Sequence, residues 1–162
     1  MNKDQEYMQL ALEQAKLAFD AGEVPVGAVV VSDGEVVGAG FNCPITTLDP
    51  SAHAEVTAIR NAAKNIGNYR LSGATLYVTV EPCSMCSGLL VHSRLKRLVY
   101  GTKEPKSGAV ESAIQLLNSD FFNHTIEVCG GILSNECSQI MTDFFQMRRD
   151  AKKRLKKSVP GS

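Results

Sequence analysis

Two short segments, whose first metal-binding residues are 30 positions apart, constrain this chain more than any other feature. Residues 53–55 read His-Ala-Glu, and residues 82–86 read Pro-Cys-Ser-Met-Cys. Together they offer three metal ligands, His53, Cys83 and Cys86, and one carboxylate, Glu55. Structural zinc sites usually have four protein ligands, whereas catalytic zinc sites keep three and leave the fourth position to water. The fold must therefore bring the two segments together, and the ligand count favours a catalytic metal site.

The cysteine pair has helical spacing. Residues i and i+3 lie on one face of a helix, so Cys83 and Cys86 can face the same metal ion. Pro82 predicts that they lie in the first turn of a helix that runs to about His92. The helix dipole there favours the thiolate, which is the form that binds metal. The alternatives are a redox pair, which needs no histidine, and half of a zinc knuckle, which needs a second ligand pair.

His53 and Glu55 require a different local geometry. Two residues apart on a regular helix, they would point about 200° away from each other. They can share a pocket only if His53 lies at the edge of the helix, and the preceding Asp49-Pro50 makes that placement plausible. Glu55 would then take a proton from a zinc-activated water and return it to the substrate. For His92 and His124 we predict ordinary, non-ligand roles.

The composition is typical of one soluble globular domain. The chain has 162 residues, of which 44% are hydrophobic and 21% charged. No apolar run approaches the roughly 20 residues of a membrane span, and the N-terminus lacks the layout of a signal peptide. We therefore expect a cytoplasmic protein without a membrane partner, with one domain over residues 1–157 and a disordered tail at 158–162. The remaining cysteines are expected to be reduced thiols, namely Cys43, Cys129 and Cys137.

The net charge of zero conceals a strong asymmetry. Residues 146–162 carry seven basic residues and one acidic residue, a balance of +6, so the remaining residues carry −6. Such a tail suggests a polyanionic partner, most simply nucleic acid. Alternatively, it is the solubilising end of a helix whose dipole favours lysines. The charge pattern alone leaves both interpretations open.

Periodicity and turn residues predict a mixed α/β fold. The expected helices cover residues 4–21, 51–66, 82–92, 111–117 and 135–157. The expected strands cover residues 26–32, 35–42, 74–80, 98–100 and 125–129, with Asp33-Gly34 as a hairpin turn between the first two. This order predicts a three-layer α/β/α sandwich around one five-stranded mixed sheet.

With these residues the chain resembles a known family, the bacterial tRNA-specific adenosine deaminases of the cytidine deaminase-like superfamily. The His-x-Glu and Pro-Cys-x-x-Cys motifs are shared by the whole superfamily and do not select a substrate. More discriminating are Phe-Asn-His at residues 122–124 and Phe-Phe-Gln-Met-Arg-Arg at residues 144–149. The resemblance extends over almost the whole chain, including residues 22–28, 49–55, 68–71, 74–83 and 91–94.

The resemblance implies a function and a set of contacts. It implies conversion of adenosine to inosine at the wobble position of a tRNA anticodon, by a homodimer with one Zn²⁺ per subunit. Asn42 would hydrogen-bond the target base, and Ala54 would contact it through its backbone. Phe145 would stack near an anticodon nucleotide, while Arg148 and Arg149 would contact phosphates.

Two positions depart from the family pattern. Glu104 stands where the family usually has aspartate, and Glu111 where a glycine is common. Because that loop lies near the substrate in the family, the substrate contacts of Glu104 are expected to differ in detail.

Two other functions remain as alternatives. A free nucleobase deaminase of the same superfamily, acting on guanine or cytosine, would carry much the same core motif. A non-catalytic, zinc-stabilised RNA-binding protein would leave Glu55 without a task.

Overall fold

A five-stranded mixed sheet forms the centre of the computed structural model, which describes residues 1–120 and 122–158. The strand order is β2-β1-β3-β4-β5; β1 is antiparallel to both of its neighbours, and β3, β4 and β5 are parallel. The strands are β1 (Gly27–Ser32), β2 (Glu35–Phe41), β3 (Thr75–Val80), β4 (Arg97–Thr102) and β5 (Glu127–Gly130). The helices are α1 (Lys3–Asp20), α2 (Pro44–Thr47), α3 (Ala54–Ile66), α4 (Ser84–His92) and α5 (Ser134–Ser158).

Helices cover both faces of the sheet, which confirms the expected α/β/α sandwich. On one face, α3 and α4 contribute Ala58, Ile59 and Leu90 to a core that includes Val78 of the central strand. On the other face, α1 contributes Met8 and α5 contributes Cys137, Phe144 being buried as well. β3 is central, as its apolar sequence predicts.

Glycines in β2 let α3 approach the sheet closely. A Cβ atom on Gly38 would lie 2.5 Å from the carbonyl oxygen of Ala58, and one on Gly40 would lie 2.6 Å from the Ala58 nitrogen. Neither distance is tolerable, so α3 rests directly on the strand backbone. This contact fixes the helix whose first residues include Glu55.

The hairpin is as expected, since Asp33 and Gly34 both have positive φ (51° and 77°), as a two-residue type I′ turn requires. The starts of two helices differ from expectation. α3 begins at Ala54 and not at residue 51, because the Asp49 carboxylate accepts hydrogen bonds from the N–H and hydroxyl of Ser51 and holds a non-helical turn. α4 begins at Ser84, so Pro82 precedes the helix.

The prediction of a helix at residues 111–117 is wrong. Only a 3₁₀ turn, Leu116–Asn118, forms there. The backbone N–H groups of Val110, Glu111 and Ser112 instead donate to the carboxylate of Glu81. A buried charged acceptor thus takes the donors that would otherwise organise the first turn of the helix.

The short helix α2 was not expected. Its N–H groups at Ile45 and Thr46 donate to the carboxylate of Glu23, which is buried. α5 runs through the basic segment to Ser158, and residues 159–162 of the expected tail lie outside the described residues. Within the part of the chain that the structure describes, no helix combines the length and apolarity needed to cross a membrane.

Candidate active site

The predicted metal ligands meet where two helices begin. His53 is the N-cap residue of α3, with the extended backbone angles φ −71° and ψ 157°. Cys83 is the N-cap residue of α4, and Cys86 lies in its first turn. The expectation that His53 sits at a helix edge is therefore confirmed. Both helix N-termini contribute partial positive charge to the site.

The distances between ligand atoms fit a tetrahedral metal ion. One ligand atom from each of His53, Cys83 and Cys86 lies within 4.8 Å of the others. The Nδ1 atom of His53 lies 3.6 Å from Sγ of Cys83 and 3.5 Å from Sγ of Cys86. Tetrahedral zinc with ordinary bond lengths would separate a nitrogen and a sulfur ligand by about 3.6 Å. The donor set and its spacing thus suit zinc.

The electrostatics of the three ligands favour a cation. Hydrogen bonds from Cys86 and His53 lower the pKa of Cys83 to about 3, which favours the thiolate form of this sulfur. The hydrogen bond to that thiolate, together with burial, raises the pKa of Cys86. The same thiolate raises the pKa of His53. In this arrangement Cys83 is the negative sulfur, whereas the raised pKa values of Cys86 and His53 favour their protonated forms. A bound metal ion would displace those protons.

Glu55 lies beside the cluster and is only 4% exposed. It is the second residue of α3, and burial raises the pKa of its carboxyl group to about 7. A carboxyl group that titrates near neutrality can both accept and donate a proton. The geometry thus provides a proton carrier next to the position of a metal ion.

A cavity of about 260 Å³ opens onto this group. Five of the predicted site residues line it: Asn42, His53, Glu55, Cys83 and Glu104. The other lining residues are Val24, Val26, Val80, Glu81, Ser107 and Met141.

Ala54 and Asn42 are both fixed by backbone structure. Ala54 is fully buried at the first position of α3, where helix N–H groups lack intrahelical acceptors. The side-chain nitrogen of Asn42 donates to the carbonyl of Val24 at 3.2 Å. Because this bond uses the amide nitrogen, it orients the side chain and leaves the amide oxygen as an acceptor.

The residues expected to contact RNA lie outside this cavity, on α5. An adjacent groove of about 310 Å³ shares Val80, Glu104 and Met141 with the cavity and includes Phe145 and Arg149. Phe145 is 41% exposed. The Arg148 guanidinium lies 5.5 Å from the centroid of the Phe144 ring.

Sequence reasoning did not identify two buried carboxylates, Glu81, which lines the cavity, and Glu23, which holds the start of α2. A signal for Glu81 was present, because a charged residue that directly follows a buried apolar strand must find hydrogen-bond partners. His124 is a structural residue, as expected, since its Nε2 donates to the carbonyl of Leu95 at 2.6 Å. His92 ends α4 at the surface.

Comparisons with known proteins agree with this geometry. A family model described as MafB19-like deaminase matches residues 2–149. A tRNA-specific adenosine deaminase of Haemophilus influenzae is 52% identical over 151 residues, which cover 93% of this chain and 87% of the relative. The Bacillus subtilis protein of the same name is 43% identical over 159 residues, 98% of this chain and 99% of the relative.

Solved structures agree as well. One from a study of A-to-I editing by tRNA:A34 deaminases at the wobble position of transfer RNA has a TM-score of 0.81 and 41% identity, covering 83% of this chain and 98% of that one. A guanine deaminase from Nitrosomonas europaea has a TM-score of 0.73 at 22% identity, covering 89% and 85%, respectively. At that identity the second likeness concerns the fold alone.

Proposed function

Because the chain belongs to the family of tRNA-specific adenosine deaminases, we propose that it hydrolytically deaminates adenosine to inosine at the wobble position of a tRNA anticodon. The observation that carries this proposal is the cluster of His53, Cys83 and Cys86 beside one small cavity, which His53 and Cys83 line together with the buried Glu55. In a chain this similar to deaminases, that arrangement supports hydrolytic removal of an amino group. A cavity of this size suits a single base that has left its stack.

We propose that the cluster holds one Zn²⁺ per protomer. The ligand types, the nitrogen-sulfur distances and the thiolate character of Cys83 all support this choice. Bound zinc supplies the Lewis acidity that makes water nucleophilic near neutral pH.

The chain's own residues would then handle the proton and the base. Glu55 accepts a proton from the attacking water and delivers it to the ring nitrogen; it then carries the remaining proton of the added hydroxyl group to the departing amine, so that one water is consumed and ammonia leaves. Asn42 offers its amide oxygen to the base, and the Ala54 N–H at the start of α3 offers a donor. Glu104 borders the same cavity, which supports its proposed contact with the base.

The RNA is proposed to continue from the cavity onto α5. Phe145 exposes part of its ring beside the groove that adjoins the cavity, where a neighbouring base could stack. Arg148 and Arg149 lie on the exposed part of the same helix and would contact phosphates. The resemblance also supports a homodimer and a cytoplasmic location.

The decisive experiment presents three substrates in parallel to the zinc-loaded protein. These are an anticodon stem-loop with adenosine at the wobble position, free guanine and free cytosine. Inosine in the RNA is the expected product. Xanthine from guanine, or uracil from cytosine, without inosine in the RNA would assign the chain to free-base deamination and overturn the proposal.

A further inference from the structure

Glu81 accepts a set of hydrogen bonds from residues 104–112 that no local sequence pattern predicts. It follows β3 directly and is only 3% exposed. Its Oε2 atom accepts from the backbone N–H groups of Val110, Glu111 and Ser112 at 2.8–3.1 Å. Its Oε1 atom accepts from the Glu104 N–H at 3.1 Å and from the Ser112 hydroxyl. One carboxylate therefore satisfies donors from both ends of the segment 104–112.

The same segment packs against Glu81 from inside its turn. Gly108 is so close that a Cβ atom there would lie 2.5 Å from Cδ of Glu81 and 2.5 Å from the Glu104 carbonyl oxygen. The N–H of Ala109 donates to the carbonyl of Pro82 at 2.8 Å. The segment thus has no room to shift toward the carboxylate.

This segment forms one wall of the cavity. Glu104 and Ser107 line it together with the metal ligands His53 and Cys83, and Glu81 is also a lining residue. Along the chain, Glu81 is separated from the ligand Cys83 only by Pro82. A short, rigid stretch therefore connects the metal ligands to the wall on which a base would rest.

We propose that Glu81 is a positioning residue, which holds the wall of residues 104–112 at a fixed distance from the metal ligands and so orients the substrate base for attack. This inference rests on the proposed function for its kinetic consequence. The carboxylate does not take part in the chemistry. It acts through the loop, because a base that rests on a displaced wall presents its reacting carbon at the wrong place, and small misplacements cost rate steeply.

The test compares four changes in the zinc-loaded protein, of which Glu81→Asp is the conservative one. Glu81→Gln keeps the shape but replaces one acceptor oxygen with a donor that faces N–H groups. Gly108→Ala disturbs the same contact from the loop side. Asp4→Asn is the matched control, because Asp4 is also a hydrogen-bonded, partly buried carboxylate but lies at the opposite end of the parallel strands, beside Arg97 and Tyr77.

For Glu81→Gln and Gly108→Ala we expect kcat on the stem-loop to fall by about 10- to 100-fold. KM should change less than threefold, since the RNA contacts on α5 are untouched, and zinc content should stay near one per protomer. Glu81→Asp should recover part of the lost kcat. Asp4→Asn should keep both constants when measured well below its unfolding temperature.

Amide hydrogen exchange gives a readout that does not require activity. In Glu81→Gln the amides of residues 110–112 should lose protection while those of β3 keep it. Unchanged protection there, a kcat within twofold of the native value, or an equal loss of kcat in Asp4→Asn would each overturn the proposal. If the native protein deaminates no RNA, the proposed function fails, and exchange still decides whether Glu81 holds the loop.

Discussion

His53 and Cys83 occupy positions where helices normally carry a different kind of residue. Both are N-cap residues, a position that favours Ser, Thr, Asp or Asn because their oxygens accept helix N–H groups. Neither side chain caps its helix here. Each missing cap costs about 1 kcal/mol of stability. The N-cap positions thus sacrifice local helix stability and direct both side chains to the candidate metal site.

For Glu55→Ala we expect folding and metal content to be preserved, because no ligand is removed. Deamination should fall at least 100-fold, since a positioned general acid-base typically contributes a factor of about 10² to 10⁴. Single-turnover assays on the stem-loop, with zinc quantified in the same sample, check this. Turnover within tenfold of the native protein would show that another group moves the proton.

For Cys86→Ala we expect the loss of bound zinc and a lower unfolding temperature. Two ligands do not hold zinc in a site of this kind, and metal binding contributes to folding. Elemental analysis and thermal unfolding measure both effects. Cys129→Ala is the control, because Cys129 lies in β5, away from the cluster, and should retain full zinc content. Full zinc content in Cys86→Ala would remove Cys86 from the ligand set.

At the residue scale, the sequence predicts well that the metal ligands come together. It predicts poorly which buried carboxylates hold neighbouring segments in place. The placement of His53 at a helix edge follows from the angular period of a helix, which is a purely local property. Glu81 and Glu23 have partners 22 to 31 residues away along the chain, and no local pattern indicates them. Only the rule that buried charges need partners points to such residues, and it does not identify the partner.

Among the elements, α5 combines two different environments. Cys137 and Phe144 are buried in its first half, whereas every residue from Phe145 to Ser158 except Ala151 is exposed. Its exposed half places like charges at i and i+4, for example Arg149 with Lys153, and such pairs destabilise a free helix. A bound polyanion would neutralise them. RNA binding should therefore also stabilise the end of this helix.

For the triple change Lys152→Gln, Lys153→Gln and Lys157→Gln we expect weaker RNA binding with a shallower salt dependence. Each cation that no longer pairs with a phosphate of a single strand reduces the slope of log K against log salt by about 0.7, so the slope should fall by about 2. Fluorescence anisotropy at several salt concentrations measures it. The control replaces three exposed lysines elsewhere, Lys16, Lys64 and Lys96, with glutamine. Equal slopes for both variants would contradict a role of α5 in binding phosphates.

Sequence patterns predicted two kinds of element best: those whose interacting residues are close along the chain, and those whose apolar periodicity extends over many residues. The hairpin and α1 belong to this group. The helix expected at 111–117 failed because its N–H groups donate to Glu81, an acceptor that comes from a distant strand. Tertiary hydrogen bonding here overrides local helix preference.

Across the whole molecule, one ionic cluster ties the first helix to the sheet. Arg97 of β4 donates two hydrogen bonds to Asp4, at 2.8 and 2.9 Å, and the hydroxyl of Tyr77 donates a third at 2.7 Å. The Arg97 hydrogen bond holds the pKa of Asp4 below its ordinary value, even though burial opposes this. The cluster thus joins α1, β3 and β4 through residues that do not line the cavity.

For Asp4→Asn we expect the free energy of unfolding at pH 7 to fall by about 2 kcal/mol, as for hydrogen bonds to a charged group. Because the folded-state pKa of Asp4 is depressed, its contribution is present above the unfolded value of about 3.9 and disappears as the pH falls through the folded value. Urea titrations at pH 7 and pH 3 should therefore show a smaller difference between variant and native protein at pH 3. Asp20→Asn, at the exposed end of α1, should stay within about 0.5 kcal/mol. A constant difference at both pH values would contradict this reading.

The order of the site residues along the chain has a consequence for how the protein is made. All three metal ligands and Glu55 lie before residue 87, whereas α5 begins at Ser134. During synthesis at about 5–20 residues per second, the ribosome needs roughly 2–10 s to pass from Cys86 to Ser134. A nascent chain thus contains its complete set of candidate metal ligands before helix α5 has been synthesised. Binding of a metal ion to these residues can therefore begin while the chain is still attached to the ribosome.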